Sequence, residues 1–408
     1  MIRQETGKHC IVVLDEFHRL GEMGIKNAFS NFGKRIMVQK DTMYLVSSSS
    51  FSASKKILAE KLSLLFGNFE RIYLEPFNFE TSFDFLEKRL SPIELSESMK
   101  YFLVAFTDGH PFFLETIVSR VRELSSAKGE EQVSRATVAT VLLKLLYESQ
   151  GILFQFFLKW ISPWMKPRAR GRHLLVLTAI ARGANKLKDI AAAAGLNQRE
   201  ASAQIQELIE HELVIKTGVF YRFHNKIFKF WLKEVFEKKE LSLLGTAAGA
   251  QDFLNRIEAL AEENEKLLRT DVSDHVLKLF ALFRNDIVEF GEKRRQLPHF
   301  TEFLSVPPSA AAGKGSSRGL IAKGRGRCWV CKITEEKATE KEVLELLEGA
   351  AGKAKSAATP VLIALKGVDE NAKLLAKDRR VLTLGLSRLN MLMDIYGRSP
   401  IVRAHSRL

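Results

Sequence analysis

Two adjacent carboxylates, Asp15 and Glu16, follow the apolar run CIVVL at residues 10–14. A short run of β-branched and aliphatic residues that stops at charge is typical of a central strand, covered on both faces, in a parallel sheet. Such sheets place ligands at the carboxyl ends of their strands. One acid there can hold magnesium through its water shell, and a second can orient an attacking water. The pair therefore predicts nucleoside triphosphate chemistry, and the alternative is a strand that ends in a solvated acidic turn.

A phosphate-binding loop of the form G-x-x-x-x-G-K-[ST] is absent from the sequence. Such a loop cradles phosphates with backbone amides and reaches the outer ones with its lysine. The nearest strings are TGKHC at residues 6–10, which lacks the upstream glycine, and AAGKGSS at residues 311–317, which lies in a linker-like stretch. We therefore expect Met1 to fall after the phosphate-binding loop, so that binding of ATP and Mg²⁺ depends on a loop supplied from elsewhere.

Composition limits the class of protein. The chain has 408 residues, is 46% hydrophobic and carries a net charge of +14, with a pI near 9.6. This length predicts two to four domains, and the basic balance favours an anionic partner, most simply DNA. No apolar stretch is expected to reach membrane-spanning length, and the N-terminus is no signal peptide, so we predict a cytoplasmic protein without a membrane partner. Three cysteines are too few for a disulfide framework and suit a reducing compartment.

The segments after Asp15 continue an α/β pattern. MYLVSSSS at residues 43–50 predicts a second strand, whose final hydroxyl residues, Ser47 and Ser48, are candidates to sense a γ-phosphate or simply form a turn. ERIYLEPF at residues 70–77 predicts a third strand. TDGHPFFLETIVSRV then has Gly109, His110 and Pro111 at the start of a helix.

The order DEFHRL, LVSSSS, FGNFERIYLEPFNFETSFDFL, DGHPFFLETI resembles the archaeal-type ATPases of the STAND branch of P-loop proteins, relatives of the AAA-type ATPases, over residues 9–160. Where that family often has Gly-Arg before the third strand, this chain has Gly67 and Asn68, which leaves Arg71 as a displaced substitute for a charge-sensing arginine. The resemblance implies that Asp15 is the magnesium-binding acid, Glu16 the catalytic glutamate and Ser48 the sensor. It also implies that Gly109 and Pro111 form the G-x-P motif of the lid.

Residues 172–236 predict a winged helix, with three helices followed by two short strands around Thr217 and Gly218. If this domain reads DNA, the first turns of its third helix would enter the major groove, and the wing would touch phosphate. In the resembled ATPases this domain often works instead as an arm packed on the nucleotide domain, and we leave both alternatives open. The candidate DNA-binding residues are Gln198, Arg199 and Ser202 on the helix, and Lys216 and Arg222 on the wing.

The C-terminal part, from RGLIAKGRGRCWVCKI onward, resembles the restriction-endonuclease-like domain attached to many of these ATPases. Such a nuclease needs an Asp and then a Glu-x-Lys, because two carboxylates hold the metal that activates water. The resemblance puts Gly319 at the Asp and Val330 at the Glu, so only Lys332 survives, since Glu335 and Glu336 lie beyond the strand. We therefore predict a degenerate nuclease kept for DNA binding, through Lys332, or for assembly.

Cys328 and Cys331 form a lone CxxC pair. A structural zinc needs four ligands, and the sequence offers neither a second pair nor a histidine cluster nearby. On a strand, the two side chains would point to opposite faces of the sheet, which argues against a dithiol. We therefore expect Cys328 and Cys331 to be ordinary strand residues, with neither a zinc-binding nor a redox role.

We predict a multidomain α/β protein that acts as an ATP-binding, nucleotide-dependent, DNA-associated switch. Hydrolysis of ATP would require the missing loop. The alternatives are a non-enzymatic DNA-binding or scaffold protein made of decayed domains, and a metal-dependent nuclease. A protein partner or homo-oligomer is also expected, because a sheet without its first strand exposes edges and an apolar face. The predicted domains are a partial P-loop ATPase core at 1–95, a helical lid at 96–165, a winged helix at 166–240, a helical linker at 241–304, a flexible linker at 305–317 and a restriction-endonuclease-like domain at 318–408.

Overall fold

The computed structural model describes residues 7–39, 41–63, 68–165, 171–241, 246–290, 293–306, 318–351 and 358–401. The chain forms two compact units, residues 1–75 with 206–213 and residues 76–205 with 214–408. Both contain helices and strands, which confirms the predicted mixed α/β class. The finer division into six domains stays a prediction.

The first unit is built on two parallel strands, β1 (Cys10–Leu14) and β2 (Thr42–Val46). They pair in register, with Leu14 opposite Val46. The helical segments around them are Phe17–Glu22, Ala28–Val38 and Phe51–Lys56, the last continuing as a π-helix over Ile57–Lys61. Leu14 and Val46 pack against a buried apolar cluster that contains Phe17, Leu58 and Leu62. The predicted strand before Asp15 and its parallel pairing are therefore confirmed.

Two details of the predicted sheet are wrong. The strand β1 is not covered on both faces, because Ile11 is 61% exposed and Val13 is 65% exposed. The predicted third strand at residues 70–77 is absent, and Leu74 is 96% exposed. An apolar segment becomes a strand by pairing its backbone with a neighbour, and none of the described residues pairs with this one. In the described part of the chain, the first unit therefore has a two-stranded sheet with one apolar face open.

Helices dominate the first part of the second unit, including residues 96–165, which the sequence predicts to be helical; their role as a lid stays a prediction. Asn78 caps the first of them, since its Oδ1 accepts a hydrogen bond from Thr81 N at 2.8 Å. Pro111 occupies the first turn of another, where no backbone donor is needed. The helices are Phe79–Leu90, Glu97–Thr107, Pro111–Lys128, Arg135–Leu142 (followed by the π-helix Leu143–Tyr147) and Ile152–Ile161 (followed by the 3₁₀ turn Ser162–Trp164).

One helical stretch, Arg135–Trp164, is long and apolar enough to cross a membrane. This finding corrects the expectation that no apolar stretch reaches that length. Core helices of soluble proteins satisfy the same test of length and composition, and here Leu142, Leu153 and Phe157 are fully buried within the protein. We therefore assign the stretch to the helical core, and the cytoplasmic location stays a prediction.

Three helices and a hairpin follow, and we call residues 172–223 the helix–hairpin module. The helices are Arg172–Ala181, Leu187–Ala193 and Gln198–Glu210, and the antiparallel strands are β3 (Val214–Thr217) and β4 (Phe220–Phe223). Lys186 forms an isolated β-bridge with Phe220. These elements lie where the sequence predicts them, and the assignment as a winged helix stays a prediction. The following helical segments are Lys226–Trp231, Leu232–Phe236, Glu237–Leu241 and Thr246–Arg269.

The C-terminal module, residues 272–401, begins with the helix Val272–Phe280 and contains the hairpin of β5 (Ile287–Phe290) and β6 (Lys293–Gln296). Its main sheet has five strands in the order β11-β10-β9-β8-β7. The strands are β7 (Glu302–Val306), β8 (Arg318–Gly324), β9 (Arg327–Thr334), β10 (Ala358–Ala364) and β11 (Leu382–Gly385), and the helices are Glu340–Ala351, Glu370–Asp378 and Leu386–Ile395.

This module both confirms and corrects the sequence interpretation. The residues after 318 form alternating strands and helices, in agreement with the predicted α/β class. The region 241–304, predicted to be a helical linker, includes the hairpin β5–β6, and Ser305 and Val306 of the predicted flexible linker belong to β7. The rest of that linker, residues 307–317, lies outside the described residues, as does Gly67. Cys328 and Cys331 pack against different apolar clusters on the two faces of β9, as predicted.

Candidate functional site

The acid pair lies where β1 and β2 end together. Ser47 N donates to Leu14 O at 2.9 Å, and Phe17 N donates to Ser47 O at 3.0 Å, so the backbone after each strand is tied to the other. Ser47 Oγ donates to Asp15 Oδ1 at 2.5 Å, and Glu16 N donates to the same oxygen at 3.0 Å. The Asp15 carboxylate is therefore oriented from both strands while the residue stays exposed.

Glu16 is held separately from Asp15. Its backbone lies in the left-handed region, with φ 49° and ψ 44°, which turns the chain sharply after the strand. Its Oε2 accepts a hydrogen bond from Ser49 N at 3.0 Å. Hydrogen bonds from Ser49 lower the pKa of Glu16 below its ordinary value of 4.5, because they stabilise the charged form. Glu16 is therefore ionised at neutral pH and fixed by the loop that follows β2.

His18 completes this cluster and was missed by the sequence interpretation. Its Nδ1 lies 3.1 Å from Glu16 Oε2 and 2.7 Å from Ser48 Oγ. Ser48 Oγ also donates to Ser50 O at 3.0 Å. The predicted sensor serine thus reaches Glu16 through an imidazole. The available signal was the position of His18, two residues after Glu16, where a turn following the strand can bring its side chain back to the acid.

The cluster offers oxygen ligands of the kind that Mg²⁺ prefers, namely a carboxylate and a hydroxyl, from Asp15 and Ser47. No group of three or more His, Cys, Asp and Glu side chains in the described part of the chain is arranged to hold a metal ion. A magnesium ion here would therefore need most of its ligands from water or from phosphate oxygens. Asp15 fits such a site, and the chemistry open to Glu16 is to orient a water.

The remaining nucleotide-site candidates lie outside this network of hydrogen bonds. Arg71 is exposed in the segment predicted to be the third strand. Gly109 and Pro111 belong to the second unit, where Gly109 has φ +70°. Phe77 N donates to Gly109 O at 3.0 Å, so this turn is tied to the start of the helical region. The structure brings together Asp15, Glu16, Ser47 and Ser48 of the predicted site.

The helix Gln198–Glu210 is the one predicted to enter the major groove of DNA. It begins with reciprocal hydrogen bonds between Asn197 and Glu200, the pattern of a capping box. Gln198, Arg199 and Ser202 are exposed on it. The exposed face continues through Glu207 and Glu210, which are repelled by phosphate. Arg199 is the one cation of this helix, so its face offers little charge attraction to DNA.

The two wing candidates differ in their surroundings. Lys216 is exposed, with its Nζ 5.8 Å from the centre of the Tyr221 ring. Arg222 is only 23% exposed, and its Nη1 lies 4.0 Å from Asp394 Oδ2 of the C-terminal module. An arginine turned toward an internal carboxylate has little capacity left for phosphate. Of the two, Lys216 alone faces solvent.

Lys332 lies on β9 with its side chain 11% exposed. Gly319 of β8 is its direct partner in the sheet, and Val330 is buried on the same strand. The Lys332 ammonium is bound to the Glu345 carboxylate on the helix Glu340–Ala351. A nuclease would carry an acid on each of these two strands. This chain has Gly319 and Val330 at those positions, and Lys332 beside them is ion-paired with Glu345.

No family model and no curated protein matches this chain. Among solved structures, it is similar to the Walker-type ATPase PABY2304 of Pyrococcus abyssi, with 18% identity and a TM-score of 0.42 over 56% of this chain and 64% of that chain. It is also similar to the RuvB Holliday junction branch migration motor of Thermotoga maritima, with 17% identity and a TM-score of 0.31 over 55% of this chain and 70% of that chain. The chain thus spans less than two thirds of the Pyrococcus protein.

Proposed function

We propose that this chain is a nucleotide-binding protein of the P-loop ATPase type that acts as a nucleotide-dependent, DNA-associated switch. The observation that carries the proposal is the acid cluster at the ends of two parallel strands, where Ser47 orients Asp15 and Ser49 fixes Glu16. Ligands of parallel α/β sheets bind at this edge. The type of cluster matches the needs of phosphoryl transfer, which depends on positioning and charge more than on covalent chemistry.

Each residue has a distinct role in this proposal. Asp15 holds a hydrated Mg²⁺, with Ser47 keeping its carboxylate in one orientation. When bound, the ion would neutralise charge on the nucleotide phosphates. Glu16, ionised and fixed by Ser49, orients a water for attack and accepts its proton. Ser48 senses the outer phosphate, and its contact with His18 couples that residue to Glu16.

Phosphate anchoring is the missing part of the site. The sequence has no loop of backbone amides with a lysine for the β- and γ-phosphates. We therefore propose that ATP hydrolysis requires a phosphate-binding segment from another polypeptide or another part of a longer protein. Under this proposal Arg71, Gly109 and Pro111 serve the charge-sensing and lid roles that the resemblance implies.

A second candidate function is a non-enzymatic DNA-binding or scaffold protein. It is favoured by Lys332, which is bound to Glu345, and by Gly319 and Val330, which are not acids. Without two acids, such a site cannot hold the cation that activates water for phosphodiester cleavage. We therefore propose no nuclease activity, and the C-terminal module then contributes binding or assembly alone.

The deciding experiment is equilibrium binding of ATP with magnesium to the 408-residue chain, with Asp15→Ala and Glu16→Ala variants. Asp84→Ala is the matched control, because Asp84 is an exposed acid on a helix of the other unit. Saturable binding that Asp15→Ala weakens about tenfold or more, and Asp84→Ala does not, would support the nucleotide site. Absence of binding at millimolar ATP, from a folded sample, would favour the scaffold function.

A further inference from the structure

Three segments of the C-terminal module meet around His299. His299 N donates to Asn285 Oδ1 at 2.9 Å, and Arg284 Nη1 lies 3.4 Å from His299 Nδ1. A Cβ at Gly324 would lie 2.0 Å from His299 O, so the turn after β8 approaches the same residue closely. Gln296, at the end of β6, reaches Asn285 O with its Nε2 at 3.4 Å. The residues after the helix Val272–Phe280, strand β6 and the β8–β9 turn therefore share one edge.

This edge is strongly basic. Arg294 is paired with Glu289 at 2.9 Å, and Glu302 is the exposed acid opposite Lys323 in the β7–β8 ladder. The other cations are exposed and form no ion pair with any residue that the structure describes. We call this set the basic edge: Arg284, Lys293, Arg295, Lys323, Arg325 and Arg327.

Two cations at the hairpin of the helix–hairpin module, in contrast, form internal ion pairs: Arg222 on β4, and Lys186, which is bridged to β4. Lys186 Nζ lies 2.7 Å from Asp286 Oδ1, and Arg222 faces Asp394. Phe220 of β4 is buried in the apolar cluster of the C-terminal module. These contacts hold the hairpin against the C-terminal module within the same unit. Lys186 and Arg222 are therefore less available to phosphate than the members of the basic edge, and Lys216 is the exposed cation of the hairpin.

We propose that the basic edge binds double-stranded DNA through its phosphates. The inference rests on the DNA association of the proposed function and locates it on the C-terminal module. Exposed cations without acid partners displace the counterions that are condensed on the phosphates of a duplex. The release of these counterions supplies most of the affinity in sequence-independent binding. The aromatic rings beside the basic edge are buried, and stacking on exposed rings is the main means of holding single strands; these rings are Phe283, Phe290, Phe300 and Trp329. Contact with the backbone of a duplex is therefore favoured over binding of unpaired bases.

The turn between β8 and β9 is the part of the basic edge best suited to reach phosphates. Gly324 pairs with Arg327, which leaves the two-residue turn Arg325–Gly326, where Gly326 has φ +67°. Lys323 and Arg327 flank this turn, so three cations project from one tight hairpin end. Because strand pairing fixes the backbone on both sides of the turn, binding has to order chiefly the side chains.

The test is fluorescence anisotropy of a labelled 20-base-pair duplex of random sequence with the full chain, at several salt concentrations. The test variant combines Lys323→Gln, Arg325→Gln and Arg327→Gln, all exposed, so the fold should persist and is checked by thermal unfolding. A matched variant removes the same charge elsewhere, with Lys366→Gln, Lys373→Gln and Lys377→Gln. Arg199→Gln tests whether the helix Gln198–Glu210 contacts DNA instead.

We expect the test variant to bind about tenfold more weakly at 100 mM salt, with the slope of log K against log salt reduced by about 2 to 3. The matched variant and Arg199→Gln should bind nearly as the wild type does. Unchanged binding by the test variant, or a loss on Arg199→Gln alone, would overturn the inference while leaving DNA association intact. Tighter binding of a single strand than of the duplex would also overturn it. A wild-type chain that binds neither would refute DNA association itself.

Discussion

Ser47 Oγ donates a hydrogen bond to Asp15 Oδ1 across the carboxyl ends of two parallel strands. Because Asp15 is exposed, we expect Ser47→Ala to cost at most about 1 kcal/mol of unfolding free energy. Local opening at the strand ends should increase more than this global cost suggests. The reason is that Phe17 N donates to Ser47 O, so the same residue holds the backbone after β1 as well as the Asp15 side chain. Amide hydrogen exchange should become faster at Phe17 in this variant and stay unchanged in Ser202→Ala, whose serine is exposed on a helix. Equal exchange in both variants would show that the hydroxyl does not hold the strand ends together.

Gly109 is a position where the backbone depends strongly on the absence of a side chain. Its φ is +70°, and a Cβ there would lie 2.2 Å from Phe77 O. Gly129 is a natural control, because its φ is +66° and nothing lies within 4 Å of an added Cβ. We expect Gly129→Ala to cost about 1 kcal/mol and Gly109→Ala to cost about 3 kcal/mol or more, measured by urea unfolding. Equal costs would mean that the backbone moves away freely at Gly109.

The sequence predicts those parts of the fold that depend on local pattern. The run that ends at Asp15, the capped helices and the strand–helix order after residue 318 can be predicted from apolar periodicity and turn residues. The exposure of one face of β1 and the absence of a strand at residues 70–77 could not be predicted, because both depend on neighbouring strands that local sequence does not specify. For the same reason the network linking Glu16, His18 and Ser48 was only partly foreseen, since a turn in the left-handed region at Glu16 brings the histidine back.

The stability of the second unit should depend on the protonation of His110. Burial lowers the pKa of His110 below its ordinary 6.5, and the nearby charge of His224 acts in the same direction. The unfolded chain therefore binds a proton more readily than the folded chain does. The contribution of His110 is complete above pH 6.5 and is lost as the pH falls through the lower folded value.

We expect the unfolding free energy to decrease between pH 7.5 and pH 5, and His110→Asn to flatten this decrease. The measurement is a series of urea unfolding curves at steps of pH. His9→Asn serves as the control, because it is the same substitution at an exposed histidine of the first unit. If His110→Asn left the slope at the wild-type value, another group would be responsible for the loss.

The pair of Lys332 and Glu345 should be structural. Lys332 is 11% exposed and Glu345 is 46% exposed, so Lys332→Ala removes both a buried aliphatic stem and the partner of a carboxylate. We expect a loss of about 1 to 3 kcal/mol of unfolding free energy. Lys341, 77% exposed and 3.9 Å from the same carboxylate, provides the control, and Lys341→Ala should cost less than about 0.5 kcal/mol. Magnesium- or manganese-dependent DNA cleavage that disappears in Lys332→Ala would contradict this interpretation.

The two faces of β1 should respond differently to substitution. Leu14 packs against the cluster around Phe17, whereas Val13 is 65% exposed beside Leu45, itself 45% exposed on β2. We expect Leu14→Ala to cost about 1 to 3 kcal/mol of unfolding free energy and Val13→Lys to cost less than about 0.5 kcal/mol. Val13→Lys should also reduce binding of an apolar fluorescent dye, because it interrupts the exposed aliphatic face. If Val13→Lys instead destabilised the protein as much as Leu14→Ala does, this face would be covered in solution. A sedimentation coefficient that falls on dilution for the wild type and stays constant for Val13→Lys would then identify the cover as a second copy of the chain.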